Sequence, residues 1–455
     1  MKVLFQNHSS LLIQVDDRYL LTDPWYNQPA FGSWLPSFAP YIHPSYLAAL
    51  GEKLTILISH AHDDHFDDRL LTIFDKNTSI VTADFKSPSV LNRVKSLGFN
   101  DVITVSEEEK VVGDFIISSY IVEEFSHDDA AYLIRTEKGA VIHSNDNWRE
   151  FESHHEELIS ERISQYSKDA VLLFSQTNSA SGFPLNYRNF DDVDKQKLLR
   201  SKVASMVQAG LRKSERLGLD RMFSYAGFAS AYVKDKSYHE DIFFPTASFL
   251  KKLVEEESIK SKVEISDLYP GDFISLPDSH VHKAFVSGYK DQNIKSVTDS
   301  FYRTYGNIKE CISFRDLEVT DNRLSEWTEE FLTEFNNFVQ YRVEGPDSHF
   351  TELLGKTFSI EIDLDSKQKI QKSIKFGSGL VKYQVTPNKA CYVDGPAFYA
   401  ILKGEALFED LYTGYNAEWM RNPSDVYNRD MVMMIIMFSY VYRARLSGKF
   451  CNKYL

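Results

Sequence analysis

Residues 60–65 read His60-Ala61-His62-Asp63-Asp64-His65, and the reading of the whole chain turns on them. The apolar run Leu54–Ser59 precedes them and reads as a strand, while Asp67–Phe74 reads as a helix. His60 and His62, two apart at a strand end, are expected to point to the same side. Asp64 and His65 are expected at the start of the helix, turned toward a second point nearby. Neutral imidazoles suit zinc, iron and other first-row cations, and a carboxylate adds charge. Two neighbouring cations are a natural outcome of one short peptide of this kind.

Working outward, the preceding segments Lys2–Phe5, Ser10–Val15 and Tyr19–Thr22 are short, apolar-rich and separated by polar turns, as strands are. Beyond the histidine cluster, strands are expected at Ser79–Thr82, Asp101–Val105, Asp114–Glu123, Ala130–Arg135, Gly139–Ser144 and Ala170–Phe174. Helices are expected at Ser87–Leu97, Trp148–Ser164 and Asp191–Leu217. Strands with helices interspersed predict a layered α/β body. The segment Pro277–Leu324 is the least regular, so the domain boundary is placed at its start: residues 1–276 form one domain and 277–455 a smaller α+β domain. The latter is expected to hold a helix at Ser325–Gln340, antiparallel strands at Phe358–Asp363, Ile370–Phe376 and Leu380–Val385, and helices at Gly395–Lys403 and Val432–Arg445.

Two further ligands are expected from other strand ends. His127 follows one strand, and Asp146 follows another in Ile142-His143-Ser144-Asn145-Asp146-Asn147-Trp148. A carboxylate at 146 has the free lone pairs to bridge two cations. The bland alternatives are a loop histidine at 127 and a helix N-cap at 146. His143 reads as a strand residue rather than a ligand.

Composition bounds the rest. The chain has 455 residues, 43% of them hydrophobic and 25% charged, and a formal net charge of −14. That acidity argues against a nucleic-acid partner and against an anionic membrane surface. Cys311, Cys391 and Cys451 stand far apart, with no disulfide framework and no thiolate zinc site, which points to the cytoplasm. The apolar run Met431–Tyr442 is too short to cross a bilayer and reads as a buried helix. Arg212-Lys213 with Arg216 reads as the solvated face of a polar helix, with a phosphate grip as the alternative.

The segment 60–65 resembles the H-x-H-x-D-H signature of the metallo-β-lactamase superfamily. Within it, the chain is similar to the CMP-N-acetylneuraminate hydroxylase-like proteins. The similarity rests on Asp23-Pro24-Trp25, Pro29-Ala30-Phe31-Gly32, Ser144-Asn145-Asp146, Ser179-Ala180-Ser181-Gly182-Phe183-Pro184, Tyr225-Ala226-Gly227-Phe228, and the stretch from Phe408-Glu409-Asp410-Leu411-Tyr412-Thr413-Gly414-Tyr415 to Asn422–Asn428. The resemblance implies an αββα sandwich. His60, His62 and His127 would hold one metal, Asp64 and His65 the second, and Asp146 would bridge. Asp64 and Asp146 would be the catalytic carboxylates, with Asp23 supporting the ligand loop from behind. Ser181 and Tyr225 are candidate substrate contacts, a plain turn being the alternative for the loop around Ser181. The superfamily's final histidine ligand finds no convincing counterpart among His239, His280 and His282.

The resemblance leaves two chemistries. Two irons would reduce O2 and hydroxylate a polar, nucleotide-linked or sugar-like small molecule. Two zinc or manganese ions would instead activate a water to hydrolyse a phosphoester or lactone. The hydroxylase is preferred because the similarity reaches the second domain. The related hydroxylase carries a Rieske cluster, which needs paired Cys and His motifs. This chain has none, so electrons would come from a separate electron-transfer protein.

Overall fold

The computed structural model describes residues 1–26, 28–121, 129–147, 150–178, 181–232, 246–284, 296, 311, 319, 321–344, 348–364, 368–424 and 438. The first body is built on two facing sheets. One has eight strands in the spatial order His280–His282, Phe273–Ser275, Lys2–Asn7, Ser10–Val15, Arg18–Thr22, Leu54–Ile58, Ser79–Ala83 and Val102–Val105. The other has seven, in the order Glu264–Asp267, Arg221–Tyr225, Val171–Gln176, Gly139–His143, Ala130–Thr136, Phe115–Ile121 and Lys110–Val112.

The sequence dictates this layering through period two. Along the first sheet, Ile13, Leu20, Leu57 and Val81 enter the core shared with the second sheet. Their neighbours Leu12, Leu21, Ile56 and Ile80 point the other way, toward Leu70, Val90 and Val94 of the covering helices Asp68–Leu71 and Ser89–Ser96. On the outside of the second sheet, the helix Asp192–Arg216 buries Val203, Val207 and Leu211. A side-chain atom on Gly210 of that helix would collide with Met222 and Ser175, so glycine permits the close helix–sheet approach. The expected helix–sheet–sheet–helix sandwich is the one observed.

Parallel pairing sets where the site lies. Arg18–Thr22, Leu54–Ile58, Ser79–Ala83 and Val102–Val105 are mutually parallel neighbours. Gly139–His143, Val171–Gln176, Arg221–Tyr225 and Glu264–Asp267 are parallel in the facing sheet. Parallel neighbours end at the same edge and return by crossovers, so the loops after Thr22, Ile58 and His143 gather at one rim.

The second body is a five-stranded sheet ordered Gly379–Val381, Lys369–Lys375, Thr357–Asp363, Lys389–Asp394 and Ala417–Arg421. The helices Asp321–Glu344 and Gly395–Lys403 pack on it through Phe331, Phe335, Phe338, Phe398 and Ile401. It is α+β, as expected. The strands at 357–363 and 369–375 are antiparallel, but 357–363 also pairs in parallel with Lys389–Asp394, a strand the sequence reading passed over. The expected helix Val432–Arg445 lies outside the described residues apart from Phe438, which is buried against Phe335 and Phe331. The strand His280–His282 hydrogen-bonds along Phe273–Ser275 and carries the first sheet past residue 276. No described helix is long and apolar enough to cross a membrane.

The bodies interlock through backbone groups. Asn186 Nδ2 donates to Tyr412 O (2.9 Å) and Ala417 O (3.1 Å), and Trp419 and Arg188 N–H groups pair with Asn186 O and Trp419 O (2.8 Å each). Ser33 Oγ donates to Gly414 O (2.7 Å) and Trp34 Nε1 to Thr413 O (2.8 Å). Gly414 sits in this seam so tightly that a Cβ would overlap the carbonyl oxygens of Phe31 and Asp410. Both are backbone and cannot swing away, so Gly414→Ala is expected to cost about 1–3 kcal/mol, read as a lowered midpoint in denaturant unfolding. An unchanged midpoint would show that the seam contributes little to stability.

Candidate metal centre

The strand Leu54–Ile58 stops one residue short of the expected end, and residues 59–66 bend before the helix Asp68–Leu71 begins. His62 O accepts from the N–H groups of His65 (3.0 Å) and Phe66 (2.9 Å), which closes a turn. The proximity of His60 and His62 therefore comes from this turn and not from strand alternation. Asp64 and His65 lie in the turn and not at the helix start, because Asp67 is the N-cap. Its Oδ1 accepts from Leu70 N (2.8 Å) and its Oδ2 from Tyr26 N (2.9 Å), a cap worth about 1 kcal/mol. The two adjacent aspartates part company here. Arg93 holds Asp63 outward at 2.9 Å, donates also to Ala61 O and Asp68, and lies over the Phe66 ring. Asp64 turns inward.

The inward groups converge. His60 Nε2 is 2.8 Å from His62 Nδ1, and the ring centroids of His60 and His65 are 4.2 Å apart. Asp146 reaches in from the facing sheet, with Oδ1 3.2 Å from His65 Nε2 and Oδ2 3.8 Å from His60 Nε2. It is not a helix cap: the following helix is Ser153–Ile163, capped at Glu152. His127 lies outside the described residues. Asp129, two residues on, places Oδ1 3.8 Å from His60 Nδ1. Three triads bring ligand atoms within 4.8 Å of one another: His60, His62 and Asp64; His60, His65 and Asp146; His8, Asp64 and His65.

The donor chemistry of this arrangement fits a cation. His65 Nε2, Asp64 Oδ1, Asp129 Oδ1 and both His8 nitrogens are buried with no hydrogen-bond partner. Each such atom costs about 1–3 kcal/mol, and a bound metal would satisfy several at once. The electrostatics agree. Burial, with repulsion from His65 and His62, lowers His60 to about 3, which keeps it neutral and able to ligate. Burial and the neighbouring Asp146 carboxylate raise Asp129 to about 7. For His62, loss of solvent opposes protonation, yet Glu409, Asp64 and Asp146 outweigh it and raise its pKa. His62 is the exposed residue among His60, His62, Asp64, His65 and Asp146. Glu409 belongs to the second body, so that body contributes to the charge felt at His62.

Behind this cluster sits Asp23, in left-handed backbone (φ 36°) and fully buried. Its Oδ1 accepts from Ser59 N (2.7 Å). Its Oδ2 lies 2.7 Å from Ser59 Oγ, which donates to it, and 2.9 Å from both His65 Nδ1 and His143 Nε2. Binding Nδ1 of His65 from behind leaves Nε2 facing the centre. Burial alone would raise the Asp23 carboxyl, but the His65 charge and the His143 and His65 hydrogen bonds hold it well below the usual carboxylate range. His143 is a packed strand residue, as read, with a supporting role the sequence did not disclose.

Tyr225 belongs to the same rear shell. It is fully buried, and its hydroxyl meets His143 Nδ1 (2.9 Å) and the Asn145 N–H. That places it behind the cluster, not at a substrate surface. Ser181 lies in the seam between the bodies, where its carbonyl accepts from Tyr415 OH (2.9 Å). Lys213 overturns the solvated-face reading: it is fully buried and donates to Ser144 Oγ (2.5 Å) and Asn147 O (2.6 Å), bracing the loop that carries Asp146. Burial, partly offset by Asp129 and Glu150, lowers it to about 7. Arg212 and Arg216 pair with Glu150. The sequence reading missed His8, Asp129 and Glu409. The first two each sit beside a strand end at the rim, which was the available signal; nothing local marks Glu409.

No protein-family model matches the chain. Curated relatives include provisionally named Rieske 2Fe-2S iron-sulfur proteins of Mycobacterium tuberculosis. These are 33% identical over 111 residues, which is 24% of this chain and 21% of theirs. The chain therefore matches about a fifth of their length. Among solved structures, the chain is similar to a protein of Veillonella parvula titled a possible metal-dependent hydrolase (12% identity, TM-score 0.41, 61% of this chain and 99% of that one). It is similar to the metallo-β-lactamase fold protein YhfI of Bacillus subtilis (15%, 0.35, 60% and 98%). A third is CmlA, a diiron β-hydroxylase of Streptomyces venezuelae (15%, 0.37, 62% and 54%). With scores this low, the chemistry has to be read from the chain's own residues.

Asp23→Asn removes the charged acceptor for His65 and His143 and is expected to weaken metal binding about 10–100-fold, measured by competition with a chromophoric chelator. In metal-free protein the depressed Asp23 carboxyl gives stability that is complete above its unfolded value of 3.8 and is lost as pH falls below it. The Asn variant should therefore be less stable at neutral pH and show a shallower acid limb below about pH 4. An identical acid limb in both proteins would exclude this role.

Proposed function

We propose that this chain is a dinuclear metalloenzyme that hydroxylates a polar small molecule with O2, using iron and electrons from a separate protein. The observation that carries the reading is the donor set: three imidazoles and two carboxylates, His60, His62, His65, Asp64 and Asp146, facing one another with ligand atoms left unpaired, and the Asp129 carboxylate beside His60. His60 and His62 would hold one cation, Asp64 and His65 the other, with Asp146 offering an oxygen to each. So many carboxylates bring negative charge that favours a cation able to reach a higher charge, iron over zinc. When bound, such a pair supplies one-electron chemistry with O2.

The chain's own residues do the positioning. Gln176 Nε2 donates to Asp146 Oδ1 (2.8 Å) and fixes the orientation of that carboxylate. Asp23 sets the tautomer of His65. Exposed His62, where a polar substrate would arrive, feels the charge of Glu409 from the second body. In this reading residues 1–276, with the edge strand through His282, form the catalytic body and the rest forms an accessory body. The relatives named for a Rieske cluster support an electron-transfer context. Cys311 and Cys391 are both free, and the three cysteines of these 455 residues supply no Rieske ligand pair, which supports delivery of electrons from outside them. Unpaired thiols fit a reducing cytoplasm.

The test is elemental analysis of protein purified without added metal, an anaerobic spectrum, and O2 uptake under a chemical reductant. Expected are iron at about two per chain and O2 consumption that His62→Ala abolishes while circular dichroism shows the fold intact. Zinc in the site, with anaerobic turnover of a phosphodiester, lactone or thioester probe, would replace this reading with a hydrolase.

A further inference from the structure

We infer that His8 is a ligand of the second cation. The inference rests on the dinuclear reading above and specifies its incomplete half. His8 occupies the tight turn between the strands Lys2–Asn7 and Ser10–Val15. Lys2–Asn7 runs in the same direction as Arg18–Thr22, so His8 leaves its strand at the same rim as Asp23 and the 59–65 turn.

Its surroundings argue against a purely structural role. His8 is 3% exposed, yet neither ring nitrogen has a hydrogen-bond partner. Buried core histidines are normally paired through at least one nitrogen. Its ring is wedged edge-on between Trp25 (centroids 5.1 Å) and His65 (5.6 Å), which fixes its direction. Nε2 stands 3.7 Å from Asp64 Oδ2, and His65 Nε2 stands 3.8 Å from the same oxygen. These spacings are too long for hydrogen bonds. They are close to the roughly 3.0–3.5 Å that separates two ligand atoms on one cation when each is about 2.1 Å from it. The backbone at His8 is left-handed (φ 34°), a strained conformation that His and Asn tolerate better than most residues and that persists where surroundings over-determine it.

Two later histidines among the described residues are placed elsewhere. His280 and His282 lie on an edge strand, where His282 stacks on Phe273 and meets Ser275 Oγ at 3.0 Å. His239 lies outside the described residues.

The experiment compares wild type with His8→Ala and His8→Asn, each stripped of metal and titrated with Co2+, reading stoichiometry by elemental analysis and the ligand-field absorption of bound cobalt. The Asn variant keeps the turn conformation, so it decides the matter if the Ala variant does not fold. Wild type is expected to bind about two ions, and the variants to bind one with unchanged affinity and a second at least about tenfold more weakly, with an altered second spectrum. Two ions at wild-type affinity in the variants would overturn the role of His8 and leave the dinuclear reading standing. Fewer than two ions in wild type would overturn both.

Discussion

Three strand ends and the two sheets are held in register at the rim by one buried carboxylate. Asp23 follows Arg18–Thr22, Ser59 and His65 follow Leu54–Ile58, and His143 ends a strand of the opposite sheet; all of them meet at its two oxygens. A charge this deep is tolerated because four hydrogen-bonding groups meet its two oxygens, and the contacts that satisfy it also dictate which face of His65 looks inward. The architecture of the sandwich and the geometry of the cation cradle thus share a single point of attachment. Removing that point would loosen side chains that Asp23 never touches, since His60 is linked through Ser59 Oγ (2.9 Å).

Much of this was legible in the primary structure. The alternation of apolar residues in the first strands, the two-residue spacing of His60 and His62, and the position of Asp146 just past a strand all reflect local rules that operate within a few residues. The helix Asp192–Arg216 was legible to within a residue at each end for the same reason: its apolar stripe and its Asp191 cap are contiguous. What escaped notice was set by contacts between distant segments. Lys213 looks solvated on a polar helix and is instead buried over the loop at Ser144–Asn147. Tyr225 looks available to a ligand and is instead closed in by His143 and Asn145. His8 lies in what reads as a plain hairpin turn, and only the parallel arrangement of strands one and three brings it beside Asp64 and His65. Strand ends at a common edge are related by topology, and no window along the chain reports that relation.

The paired aspartates show how tertiary context assigns unlike work to like residues. Asp63 and Asp64 are chemically identical neighbours, yet Arg93 claims the first from the helix Ser89–Ser96, and the second is left to face His8 and His65. Arg93 also covers Phe66 and ties down Ala61, so the turn's conformation is enforced from outside and its inner face is left without competing partners.

The seam between the bodies carries a consequence for how such a molecule can diversify. The cradle residues all descend from the sandwich, whereas Glu409 acts on His62 from a segment, Phe408–Tyr415, stitched onto Ser33, Trp34 and Asn186. Inheritance can therefore act on the two separately. Replacing the appended unit would change the charge beside His62 while the histidines and aspartates of the sandwich kept their own supports, much as a lock can be rekeyed without rebuilding the door.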